Sequence, residues 1–158
     1  SLVGSEMCIR DRGCILQAMG QNNEAQIFFQ KACAGNNQPV AAMYYNDQKP
    51  DKVFYQGLAL LKLGNEGKAC SCFNRLIDFG EKHLFDIFKM DYFAVSLPDL
   101  QIWEDDMNRK NRVHCNYLMG LGHLGLGHVE KAKTYFGIAS ELDNNHQGVQ
   151  IHSEMINE

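Results

Sequence analysis

The sequence predicts an all-α chain built from repeated helical hairpins, and three observations carry that expectation. The first is a ladder of small residues and an aromatic: Gly120 is followed by Gly127 seven residues on, then by Ala132 and Phe136 at five and four further. Gly57, Gly64, Ala69 and Phe73 repeat it without a shift, as do Gly13, Gly20, Ala25 and Phe29. Self-similarity at a period in the tens of residues marks a stacked repeat. The second is cap chemistry, because the second Gly of each ladder follows a Leu or Met and suits the left-handed turn that ends a helix. The third is composition: 158 residues, 45% of them hydrophobic, with only three prolines, suffice for one core of helices.

In such a hairpin the first Gly lies mid-helix, where a missing side chain lets the partner helix approach. The Ala then sits where the second helix crosses the first, and the Phe one turn on fills the space beyond. These positions resemble the tetratricopeptide repeat (TPR), a 34-residue helix-turn-helix. The resemblance implies a short right-handed α-solenoid. Ala32 and Ala139 supply its last small residue, whereas the middle copy has Leu76. The copies depart elsewhere, with Val53 and Asn116 at the early aromatic position and Asn37 and Asn144 in place of the closing Pro.

A net charge of −4 with scattered Lys and Arg gives no electrostatic reason to expect nucleic acid. No run approaches the length of a membrane span, so no membrane anchor is expected and the location expected is cytoplasmic. The six cysteines, Cys8, Cys14, Cys33, Cys70, Cys72 and Cys115, lack framework spacing and are read as reduced thiols on helices.

Taken in order, residues 1–12 (SLVGSEMCIRDR) resemble a translated sequencing-adapter tail and are set aside from functional argument. On that reading the chain is a C-terminal fragment cut near Gly13, although Met7, Cys8 and Ile9 are apolar enough to complete the truncated helix. Residues 13–39 form the first, truncated repeat, with a half helix from Gly13 and a second helix from Asn22 presenting Ala25, Phe28, Phe29 and Ala32 on one face. Ala25 to Ala69 is 44 residues, ten beyond the repeat frame, so residues 40–49 are a spacer with a short helical turn. Residues 50–83 form the second repeat, with Pro50 in the first turn of its first helix and Asn65 capping its second. Residues 84–112 are an aromatic-rich insert that either packs as an extra layer or serves as a recognition loop. Within it Ser96 and Asp99 have capping-box spacing around Pro98, and Asp105 and Asp106 precede Arg109, Lys110 and Arg112 as the dipole of a helix favours. Residues 113–146 form the third repeat, and 147–158 a capping helix with Val149, His152 and Ile156 inward.

The combination KHLFDIFKMDYFAVSLPD with NRKNRVHCNYLMGLGHLGLG resembles the C-terminal TPR region of large bacterial proteins that carry an N-terminal domain of unknown function. That resemblance implies a large upstream, sugar-enzyme-like domain.

No catalytic, cofactor-binding or metal site emerges. Gly120, Gly122 and Gly125 satisfy G-x-G-x-x-G literally, with Asp143 downstream, but a dinucleotide site needs a preceding strand and the repeat explains Gly120. Gly122 and Gly125 exceed the repeat pattern at about 1 kcal/mol each against Ala, so that helix is expected to be pliable or closely approached. His123 and His128 are five apart, and Cys70 and Cys72 two apart; neither spacing is that of a known metal pair. Glu104, Asp105 and Asp106 lack the glycine and terminal Glu of a calcium loop.

What remains is recognition. The first helices of stacked hairpins line a concave groove, expected here at Phe54, Leu58, Leu61 and Lys62 with His114, Tyr117, Leu121 and Leu124. Its apolar lining suits a helix or extended peptide, unless the insert or a neighbouring helix fills it. The chain therefore reads as a non-catalytic scaffold for a peptide, a partner protein or its own upstream domain. The alternative is the accessory tail of a bacterial carbohydrate-active enzyme, and a third reading makes the repeats a dimerisation device.

Overall fold

In a computed structural model of the chain, residues 5–41, 49–89 and 98–157 are described. They form α1 (Ser5–Ala18), α2 (Asn22–Ala32), α3 (Lys52–Lys62), α4 (Glu66–His83), α5 (Pro98–Gly125), α6 (Val129–Leu142) and α7 (Gln147–Glu154), with no strand among the described residues. The helices pack in sequence as hairpins α1–α2, α3–α4 and α5–α6, and α7 lies against α5 and α6. This is an all-α solenoid of TPR-like repeats.

The ladder residues explain the hairpins. Gly20, Gly64 and Gly127 close the first helices with φ of 79°, 75° and 76°, a left-handed conformation in which any Cβ is strained. Gly13, Gly57 and Gly120 each lie beneath the phenyl ring of their own repeat, Phe29, Phe73 and Phe136 respectively. A Cβ at Gly13 would stand 2.6 Å from Phe29, and one at Gly57 would stand 2.7 Å from Phe73 Cζ. Ala25, Ala69 and Ala132 are fully buried at the crossing.

The second glycine pair beyond the repeat pattern also has a physical cause. Gly122 of α5 meets α4, where an added Cβ would lie 2.6 Å from the Phe73 carbonyl oxygen and 2.6 Å from Ile77 Cγ1. Gly80 of α4 does the same from the other side, with the Cys115 carbonyl oxygen of α5 at 2.7 Å. Gly125 abuts the Phe73 ring. Of the two expected reasons for glycine here, close approach is the one seen. The cost in helix propensity is offset by near backbone-to-backbone packing of two helices, and residues 113–123 of α5 are buried on every side.

Some expectations need correction. α1 starts at Ser5 rather than near Gly13, with Met7 and Ile9 packed on the two core clusters while Cys8 is exposed. Pro50 precedes the helix that begins at Lys52, and Asn65 occupies the N-cap position of α4 without a side-chain cap bond. The end of the insert and the first helix of the third repeat are one continuous α5, starting at Pro98. Asp106 on it pairs with Lys110 at 2.7 Å and Arg109 at 2.9 Å. Ser96, the aromatic run 91–97 and most of the spacer lie outside the described residues. All six cysteines are free; Cys72 and Cys115 are buried, Cys8 and Cys70 exposed.

Despite the spacer, the first repeat is tied to the second. Gln56 Nε2 donates to the Ala34 carbonyl at 3.0 Å, and Ala59 packs into a cluster with Ala25, Phe29 and Ala32.

Substitution separates the roles of the glycines. Gly122→Ala is expected to destabilise the fold by about 1–3 kcal/mol through overpacking against α4. Gly137→Ala, in open space on α6, is expected to add up to about 1 kcal/mol. Urea unfolding midpoints of the two variants check both signs.

Candidate functional site

The eight residues expected to line a groove lie on the first helices α3 and α5, and the structure divides them. Phe54, His114, Tyr117 and Leu121 are buried in the core. Leu58 and Leu124 are half-buried against it, while Leu61 is 39% exposed and Lys62 is exposed. The first four therefore do not line an open groove.

For Phe54 and Tyr117 the physical reason is α7, whereas His114 is covered by the Val40 carbonyl and the Phe79 ring, and Leu121 lies in the core cluster. His152, on α7, stands in the seam between α3 and α5. Its ring centroid is 5.4 Å from Phe54 and 5.7 Å from both Tyr55 and Tyr117. Tyr55 Oη donates to His152 Nε2 at 3.0 Å, while Nδ1 donates to the Gly148 carbonyl at 2.6 Å and has Tyr117 Oη at 3.1 Å. Val149 joins the same core cluster. His146 caps α7 by accepting from the Val149 N–H at 3.1 Å, and its ring lies 4.7 Å from Tyr117. The inward placement of Val149 and His152 is legible in sequence; the contact of His152 with α3, nearly a hundred residues back, is not.

Electrostatics at this end follow from burial. Desolvation pushes the His114 imidazole down to about 4, against an upward pull from the Val40 carbonyl it bonds at 2.7 Å and a further downward push from His146. Burial likewise holds His152 and His146 below the usual histidine range, and it pushes Tyr55 up to about 12. All are neutral groups that hold positions rather than carry charge. Buried Cys115, raised to about 12, is a protonated thiol without nucleophilic character.

Sequence reasoning set His123 and His128 aside on spacing. The α5–α6 turn nonetheless brings their Nδ1 atoms to 3.2 Å, and the His123 ring stacks on Tyr135 at 5.4 Å and 4°. Among the described residues no group of three or more His, Cys, Asp or Glu is placed to hold a metal.

These hairpins, with glycine turns and Phe-over-Gly crossings, define a TPR-like helical repeat protein. Residues 11–34, from within α1 to just past the end of α2, match the tetratricopeptide repeat family model. No solved structure matches the chain significantly. Among the described residues no helix is long and apolar enough to cross a membrane.

The neutral histidines set a pH dependence. An unfolded chain takes up protons near the ordinary 6.5, whereas folded His114 does so only near 4. Stability is thus full above about pH 6.5 and is lost as pH falls toward 4, because the unfolded state binds more protons there. Denaturation at pH 7 and pH 4.5 is expected to show this loss. His114→Gln should flatten it, by at most roughly 3 kcal/mol for that one ring.

Proposed function

We propose that this chain is a non-catalytic, cytoplasmic docking scaffold that holds a peptide or partner protein by apolar contact. One observation carries the reading: TPR-like hairpins, a repeat that commonly mediates protein–protein interaction, leave a partly open apolar strip where their first helices meet. That strip is Leu58 and Leu61 of α3 with Leu124 of α5, and the exposed, charged Lys62 stands beside Leu61. Leu61 and Leu124 occupy the same repeat position on neighbouring first helices, so a ligand laid across the array meets both. The Phe54 and Tyr117 end of the expected groove is taken by α7, which leaves the strip beside it as the accessible part.

The chemistry of the strip favours an amphipathic or extended peptide with two or three apolar anchors spaced to reach both helices. The acidic net charge, with scattered Lys and Arg, favours protein over nucleic acid.

A displayed random-peptide library panned against the intact chain tests the proposal. Enriched peptides are expected to carry apolar anchors and bind saturably, and Leu61→Asp should weaken them by about 30-fold or more, the size of a binding hot spot. Leu61 is exposed enough for that variant to fold. Equal binding by wild type and Leu61→Asp would remove the strip from consideration.

A further inference from the structure

We propose that His123 and His128 form a two-imidazole site for a divalent transition metal of the Zn²⁺ and Ni²⁺ type, at the turn joining α5 to α6. Five residues apart in sequence, the two histidines straddle a turn, so no helical spacing rule applies to them. The turn itself sets their approach. The His128 N–H donates to the His123 carbonyl at 2.8 Å, Gly127 N–H donates to Leu124 at 3.0 Å, and Gly127 holds φ at 76°.

The resulting Nδ1–Nδ1 separation of 3.2 Å is close to a chelate bite. Two nitrogens each 2.0–2.1 Å from one tetrahedral zinc stand about 3.3 Å apart. The contact is a hydrogen bond in which one Nδ1–H donates to the other Nδ1; metal entry replaces it, the Nδ1 proton being given up to solvent as that ring's Nε2 takes one, so that both Nδ1 lone pairs face the ion and no net proton is gained or lost. His123 is nearly buried and stacked on Tyr135, which fixes its ring, while exposed His128 opens the site to solvent. Two protein ligands leave the remaining coordination positions to water. Lys131 and Glu81 act electrostatically on His123 with opposite signs. Imidazole ligands suit zinc, copper and nickel rather than magnesium or calcium.

The repeat supplies its own controls. The positions of His123 and His128 hold Leu60 and Asn65 in the second repeat and Leu16 and Gln21 in the first, so the histidine pair is particular to the third hairpin. His123→Leu and His128→Asn therefore borrow residues that the same turn already accommodates.

The test is calorimetric titration of the intact chain with Zn²⁺ after alkylation of exposed thiols, repeated with Ni²⁺. One equivalent is expected to bind saturably. His123→Leu and His128→Asn should each weaken binding by at least about tenfold, and His83→Gln, removing another partly exposed histidine, should leave it unchanged. Saturating metal should raise the melting temperature of the wild type and of His83→Gln but not of the other two variants. Absence of a saturable equivalent in the wild type, or unchanged affinity in His128→Asn, would overturn the site. So would loss of binding in His83→Gln.

Discussion

Everything else in the fold depends on the closeness of α4 and α5. Gly80 and Gly122 face each other's helix backbones, at carbonyl oxygens of Cys115 and Phe73, and Gly125 accepts the Phe73 ring. With no Cβ at any of the three, the helices pack nearer than side chains permit. The α5 segment 113–123 becomes a central rod covered on all sides. That placement imposes a second constraint, because a rod covered all round cannot leave polar groups to water. Asn116 accordingly donates to its own helix at Arg112 O (2.8 Å), His114 reaches the Val40 carbonyl, and His123 meets His128.

The same constraint shapes the recognition surface. With α5 central, its side facing α3 is a seam that α7 can cover, and His152 satisfies both ring nitrogens there. A histidine suits this place because Nε2 accepts from Tyr55 while Nδ1 donates to Gly148, a division of roles that Leu cannot make and that a charged ring would disrupt. Burial keeps the ring neutral, and the covered seam redirects any ligand toward Leu58, Leu61, Lys62 and Leu124. What the array offers a partner is therefore set by how its last helix is seated as much as by the repeats.

The repeat architecture was legible because it rests on local constraints that recur. A left-handed turn demands Gly at 20, 64 and 127, and a phenyl ring over a helix demands Gly at 13, 57 and 120, so the residues stand at fixed offsets whatever surrounds them. Gly122 and Gly125 were visible as departures, and their meaning was open until a neighbouring helix was in place. The groove was legible only as a register. Phe54, Leu58, Tyr117 and Leu121 share the periodicity of first-helix residues, but whether Phe54 and Tyr117 are open or covered depends on His152, 98 and 35 positions further along the chain. The His123–His128 pair escaped for another reason. A separation of five matches no familiar ligand spacing, and it is the α5–α6 turn that brings the two Nδ1 atoms to 3.2 Å.

Register also explains the exposed apolar residues at the other end of the array. Ile15 on α1 and Met19 just past its end occupy the positions of Ala59 on α3 and Leu63 just past its end, which join or pack against the cluster around Ala25 and Phe29. In the third repeat the same positions are Gly122 on α5 and Leu126 just past its end, turned toward α4 and the core. Each first helix thus carries one face for its own partner and a second for the hairpin before it. On α1 the second face is open, with Ile15 at 61% and Met19 at 67% exposure. The residue size there follows the neighbour: glycine at 122 admits the α4 backbone, and alanine at 59 fits into the cluster of Ala25, Phe29 and Ala32.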